Sequence, residues 1–265
     1  EKEGGPKEAA GLEKEETTPV AVPASIPHLG SFADELLGKV GWLGRGSRLD
    51  FVETGNRLAG RISKWERQDD WALHRLFCYM RSHDAMGILM TGHPHDLASI
   101  LVRLKTDADQ GSDPATVRST SGCSTALQGP RSYIPAYWLA RKQTVTGLST
   151  GDTELTSLRD GVYTDALPLV GTMEWLTRRP VRCIASTDTA VGISAVKRGY
   201  SRKMAYLRKT QRISLACLHG LFFGEAEDLE PEDCRTIHRL FHQAGSENDA
   251  DVLTKAPPVE KHYKC

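Results

Sequence analysis

Apolar positions along the chain fall into two regimes. Between residues 31 and 97 they recur at helical spacing. Leu36, Leu37, Val40 and Leu43 follow Ser31-Phe32-Ala33-Asp34-Glu35, which places an N-cap at Ser31. A second helix is expected through Val52, Leu58 and Ile62. A third presents Ala72, Leu73, Leu76, Phe77 and Met80 on one face, with His74, Arg75 and Arg81 off it. Gly92-His93-Pro94-His95-Asp96 breaks that pattern and reads as an exposed loop.

After residue 98 the spacing changes to short apolar runs with β-branched and aromatic bias. Ile100-Leu101-Val102-Arg103-Leu104 predicts a buried strand ending near Asp107. Cys123–Leu127 and Tyr133–Leu139 predict a hairpin around Gly129-Pro130, and Thr144-Val145-Thr146 adds a further pairing segment. A long helix follows, capped by Ser149 or Thr150 and kinked or split by Pro168. Val181–Ser186 predicts a fourth strand ending at Thr187-Asp188. Helices interrupted near Gly199 fill Ala190–Phe223, Thr236–His242 is a last strand, and Asp249–Lys255 opens a closing helix. Three strands, a helix, a strand, helices, a strand and a helix make an α/β layout with helices on the faces of the sheet.

Composition refines this picture at three points. Residues 1 to about 30 are rich in Glu, Lys, Gly, Pro and Thr and too poor in large apolar groups to offset chain entropy, so they read as a disordered leader or linker. Glu1 in place of Met suggests a piece of something longer. The six cysteines form no C-x-x-C pair and lie no closer than 17 residues apart, a poor zinc or disulfide pattern. Reduced thiols in an intracellular protein fit better, with Cys123 and Cys183 in the core. No apolar run is long enough for a membrane span, and no signal-peptide core precedes Gly30.

Net charge is zero, but its distribution is uneven. From Thr189 to Gly224 there is no acidic residue, while Lys197, Arg198, Arg202, Lys203, Arg208, Lys209 and Arg212 supply seven positive charges. Such a block attracts a phosphate backbone; a solvated helix face is the alternative.

Four acids stand at matching places in the predicted elements. Asp107 follows the first strand, Glu154 lies in the first turn of the long helix, Asp188 follows the fourth strand, and Asp251 starts the final helix. Carboxylates converging at one sheet end can hold two divalent ions about 4 Å apart, which activate water and stabilise the leaving oxygen of a phosphodiester. Oxygen ligands suit Mg²⁺ or Mn²⁺ rather than zinc.

The motifs around these acids resemble a known family. Asp107-Ala108-Asp109-Gln110-Gly111, Arg118-Ser119-Thr120-Ser121-Gly122, Trp138-Leu139-Ala140-Arg141-Lys142-Gln143, Leu148–Leu155, Ser186-Thr187-Asp188-Thr189-Ala190 and Ala250-Asp251-Val252-Leu253-Thr254-Lys255 occur in order. They are similar in kind and spacing to the motifs of the ribonuclease H domain of copia-type LTR retrotransposon Pol polyproteins. Leu36–Leu43, Arg48–Phe51, Asn56–Ala59 and Trp71–Met80 resemble the helices that end the reverse transcriptase of such elements. Gln110 and Thr189 stand where the family has Trp and Asn.

That resemblance implies a ribonuclease H-like mixed five-stranded sheet flanked by helices over residues 98–257, preceded by a small helical segment over 31–97 and followed by a tail over 258–265. It implies Asp107, Glu154, Asp188 and Asp251 as the catalytic, metal-binding acids, Asp109 as a further ligand candidate, and two Mg²⁺ or Mn²⁺ ions. The implied reaction is hydrolysis of the RNA strand of an RNA–DNA hybrid, whose minor-groove width and 2′-hydroxyls are read in place of base sequence. The seven-residue basic block holds the backbone. The remainder of a reverse transcriptase polyprotein is the implied partner, inside the cell and away from membranes. His242 reads either as an aid to product release or as a surface residue, and with Cys234 and His238 it has the four-residue spacing of a helical metal site. Two other readings stay open: a catalytically inactive nucleic-acid-binding remnant, and an integrase-like nuclease on the same fold.

Overall fold

The computed structural model describes residues 22–111, 116–224 and 238–255. Strands β1 (Leu101–Asp109), β2 (Thr120–Gln128), β3 (Tyr133–Lys142), β4 (Cys183–Thr187) and β5 (Arg239–His242) form one sheet in the order β3-β2-β1-β4-β5. The first three strands are antiparallel, and β4 and β5 run parallel to β1. The fold is ribonuclease H-like.

Helices lie where the sheet needs cover. Val102 and Leu104 of β1, Cys123 of β2 and Ala185 of β4 are buried against Leu155 and Leu158 of α4 (Thr150–Asp160) and Val170 and Met173 of α5 (Leu167–Thr177). Ala195 and Val196 of α6 (Ala190–Arg198), Leu207 of the short α7 (Leu207–Thr210) and Leu218 of α8 (Leu215–Phe223) extend the same core. Removing a side chain of this size from water contributes ~2 kcal/mol, so the core fixes where the strand ends lie.

The approach of α4 to the sheet requires a glycine. A Cβ on Gly161 would lie 2.9 Å from Leu104 and 3.0 Å from the Cys123 sulfur. Here the long helix, expected to kink or split at Pro168, instead widens while staying continuous. A π-turn, Gly161–Ala166, joins α4 to α5, and Pro168 falls in the first turn of α5. A first-turn proline leaves no interior hydrogen bond unmade.

The helical segment has a separate core. Leu37 and Val40 of α1 (Ala33–Gly46), Leu58 of α2 (Val52–Ala59), and Leu73 and Leu76 of α3 (Arg67–Ser82) pack around Phe51. It meets the sheet edge through Leu49 and Val52, which pack with Trp138 against Ala140, Val252 and Leu253, and through polar contacts. Trp138 Nε1 donates to Gly44 O at 2.6 Å, and Asn56 Nδ2 donates to Ala140 O at 2.7 Å. The second bond occupies a carbonyl of the edge strand β3, which is otherwise open to pairing.

Several local expectations are corrected. Ser31 does not cap α1: it lies in a 3-10 turn, Gly30–Phe32, that feeds the helix directly. Thr144-Val145-Thr146 is an exposed turn rather than a pairing segment. There Gln143 turns its amide inward and donates to Ser121 Oγ and Thr153 O, ending the ladder. Asp96 is buried, not part of an exposed loop, because its carboxylate accepts from Arg131 N at 2.6 Å and Ser132 Oγ at 2.9 Å in the β2–β3 turn. The closing helix is a 3-10 turn, Asp249–Leu253, within the described residues.

Residues 22–30, assigned by composition to the leader, tie onto α3. Leu29 N and Trp65 Nε1 donate to Asp70 Oδ1 at 2.9 and 2.8 Å, and His28 Nδ1 lies 2.8 Å from Asp70 Oδ2. Thr236 and Ile237, expected in the last strand, and Cys234 lie outside the described residues. The parallel register of β5 on β4 runs from Arg239 opposite Ile184 to His242 opposite Thr187.

Candidate metal centre

The parallel pairing of β1 with β4 brings two strand ends together, and α4 crosses above them. Each element delivers one acid: Asp107 from β1, Asp188 from just past β4, and Glu154 from the fifth residue of α4. Ligand-capable oxygens of the three all lie within 4.8 Å of one another. Asp107 is fully buried, Glu154 is 3% exposed and Asp188 is half-buried.

The start of α4 is built to hold Glu154 there. Ser149 and Asp152 form a reciprocal capping box, and the Asp152 carboxylate accepts from Leu148 N and Ser149 N. Glu154 Oε1 then accepts from Ala108 N at 2.9 Å. Ser157, one turn on, donates to Asp107 O at 2.8 Å, which locks the helix against the end of β1.

Gly122 stands directly opposite Asp107 in the β1–β2 register. Without a side chain there, the 3-10 turn Asp249–Leu253 settles on β2, where a Cβ would lie 2.9 Å from Ala250 O and 2.6 Å from Thr254 Cγ2. The turn brings the Thr254 hydroxyl to Asp107 Oδ2 as a donor, and Asn248 Nδ2 fastens it to Thr106 O at 2.8 Å. Lys105 pairs with Asp249 beside it.

Lys255 follows the turn. Its Nζ lies 2.9 Å from Asp251 Oδ1 and 3.7 Å from Asp107 Oδ2. Asp251 therefore belongs to the site through the ammonium it shares with Asp107, outside the tight three-acid group. Asp109 is half-buried one pleat beyond Asp107, and its charge acts on Lys255.

Electrostatics mark the cluster as under strain without a cation. Burial, and then the charges of Asp107 and Asp188, push the Glu154 carboxyl up to about 9. Burial raises Asp107 as well, against the Thr254 hydrogen bond and the Lys255 charge. Like charges held this close in a dry setting oppose ionisation. Asp107 Oδ1 is buried and accepts no hydrogen bond. An orphaned carboxylate oxygen on one of three closely grouped acids fits a hard divalent cation.

The motif residues without acids turn out to be scaffolding for these three elements. Gln143 N donates to Ser119 O at 2.8 Å, its side chain joins Ser121 to Thr153 of α4, and Ser119 Oγ accepts from Gly111 N at 3.1 Å. Thr189, where the family has Asn, caps α6 by accepting from Gly192 N at 3.1 Å. His242 Nε2 lies 2.9 Å from Asp188 O at the rim of the site, whereas the half-buried His238 accepts from Cys183 N at 2.9 Å and sits inside the fold. The pair does not share a metal site. Nothing in the sequence marks Thr187, Thr254 or Lys255 as site residues. Thr254 and Lys255 were visible only as the last letters of a motif.

The basic block lies over α6, α7 and their connections. Lys197, Arg198, Arg202, Lys203, Arg208, Lys209 and Arg212 are all exposed, and none makes an ion pair among the described residues. Arg212 adopts the left-handed backbone region (φ 56°) between α7 and α8.

No protein-family model matches the chain, and no curated protein matches it. Among solved structures it is similar to the crystal structure of prototype foamy virus protease-reverse transcriptase (native), at 10% identity and a TM-score of 0.26. That match covers 67% of this chain and 21% of the other, so the chain spans about a fifth of that protein's length. A likeness of this size carries no argument about family or activity. No helix among the described residues is long and apolar enough to cross a membrane.

Proposed function

We propose that the chain is a ribonuclease H that hydrolyses the RNA strand of RNA–DNA hybrids, as part of a copia-type Pol polyprotein. One observation carries this reading. Asp107, Glu154 and Asp188 offer oxygens within 4.8 Å of one another at the end of a ribonuclease H-like sheet, and the buried Asp107 Oδ1 has no other partner. The motifs that contain the acids fall on β1, α4, the end of β4 and the Asp249–Leu253 turn, the elements that build this cluster.

Asp107, Glu154, Asp188 and Asp251 are the residues that would hold Mg²⁺ or Mn²⁺, with Asp109 next to them. Ions bound there supply an activated water and charge stabilisation at the leaving oxygen. The protein's own contribution is positional. Ala108 N and Thr187 orient Glu154, Thr254 orients Asp107, and the dry setting strengthens each interaction. The exposed basic face over α6 and α7 supplies sequence-independent attraction for the backbone.

The test is cleavage of a labelled RNA–DNA hybrid in Mg²⁺, beside an Asp188→Asn variant and beside duplex DNA. We expect metal-dependent cutting of the RNA strand that falls at least ~100-fold in the variant. Absence of cutting above the variant overturns the enzymatic reading. If hybrid binding persists, the inactive nucleic-acid-binding remnant replaces it. Preferential cutting of duplex DNA points instead to an integrase-like nuclease.

A further inference from the structure

Lys255 occupies a place in the site that scaffolding does not require. Its stem is half in solvent, with the side chain 47% exposed, yet its ammonium reaches back to the fully buried Asp107 as well as to Asp251. Those two acids come from different elements, one near the end of β1 and one on the 3-10 turn that rests on Gly122. A single positive charge thus bridges Asp107 and Asp251, and it also acts on Glu154.

We propose that Lys255 is a tethered cation that fills the Asp107–Asp251 side of the carboxylate site until a divalent ion displaces it. The inference rests on the metal reading above and adds to it a control on loading. Before any ion arrives, the ammonium offsets part of the negative charge gathered at the sheet end and keeps the turn seated. When an ion approaches, the same ammonium repels it and holds two of its ligands. Lys255 therefore raises the concentration at which the site fills. The exposed stem lets the head group swing into solvent without repacking any core residue, so exchange needs no rearrangement of the sheet.

The experiment is titration of the full chain with Mn²⁺, following free Mn²⁺ by its electron paramagnetic resonance signal, with no nucleic acid present. Lys255→Met keeps the length of the side chain and removes the charge; Lys255→Arg keeps the charge. We expect Lys255→Met to bind Mn²⁺ on the order of tenfold more tightly than the wild type, as removal of one nearby positive charge allows. We expect Lys255→Arg to stay within about twofold of the wild type. Thermal melts in a chelator give a second, opposite readout: Lys255→Met melts at lower temperature than the wild type when metal-free and gains more from saturating Mn²⁺. Equal or weaker Mn²⁺ binding by Lys255→Met, with the wild type still binding and Asp188→Asn not, overturns the tethered-cation role and leaves the metal reading standing. No binding by any of the proteins overturns both.

Discussion

Replacing Glu154 by Gln removes the charge that the fold accommodates least well without metal. Its carboxyl is pushed from an ordinary 4.5 to about 9 by burial and by its two acidic neighbours. A carboxyl held above its unfolded value binds its proton more tightly in the folded chain. The stability this confers is complete below about 4.5 and is lost as pH rises toward 9. At pH 7 the wild type has given up at most ~3 kcal/mol on this account, at 1.36 kcal/mol for each pH unit above 4.5. Glu154→Gln does not titrate, keeps an acceptor for Ala108 N, and offers donors toward the unpartnered Asp107 Oδ1. In a chelator it should therefore melt above the wild type by ~6–12 °C at pH 7, with the gap closing by pH 5. Added Mg²⁺ should reverse the order, because the wild type gains from binding and the variant loses a ligand. Melts by circular dichroism at four pH values, with and without Mg²⁺, provide the comparison. Parallel pH profiles for the two proteins in chelator refute the reasoning, since they mean that Glu154 is ionised without penalty.

Gly122→Ala places a Cβ against Ala250 O and Thr254 and forces the turn that carries Asp251 away from β2. A loss of ~1–3 kcal/mol is expected, together with weaker Mn²⁺ binding by the folded fraction, read by melts and by metal titration. Asp70 is held near 2, below its ordinary 3.8, because hydrogen bonds from His28, Trp65, Leu29 and Arg67 outweigh the burial that opposes them. A depressed carboxylate stabilises above the unfolded value and stops doing so as pH falls through about 2. After allowance for the solvent around His28 and Arg67, Asp70→Asn should cost ~1–2 kcal/mol at pH 7 and almost nothing at pH 2, measured by urea melts at both. Changing Arg202 and Lys203 together to Ser should lower the slope of log affinity against log salt for hybrid binding by ~2, leaving the Mn²⁺ affinity unchanged.

Strand and helix order were legible because Val102 and Leu104, and later Leu155 and Leu158, keep the spacing of buried faces. The acids were legible for a related reason: Asp107 and Asp188 end strands, where a sheet exposes side chains to a common edge. Contacts made by residues that look ordinary in sequence were not. Asp96 reads as part of an exposed loop and Asp70 carries no signal in the sequence, and only the folded chain supplies Ser132 and Arg131 to the one and Trp65 and Leu29 to the other. Thr144-Val145-Thr146 has strand propensity, but Gln143 is bound by Ser121 and α4, and so the strand ends. Propensity lost there to one buried amide. In the sequence Lys255 is only the end of a motif, because nothing in the spacing shows that a residue four after Asp251 and 148 after Asp107 reaches both.

The central claim is that Asp107, Glu154 and Asp188 together bind a divalent cation. Crystals soaked in Mn²⁺, with anomalous scattering recorded, test it without relying on activity. The account predicts an anomalous peak within ligand distance of all three carboxylates, lost in Asp188→Asn. A well-ordered site with no peak at saturating Mn²⁺, and with the three side chains intact, would contradict it.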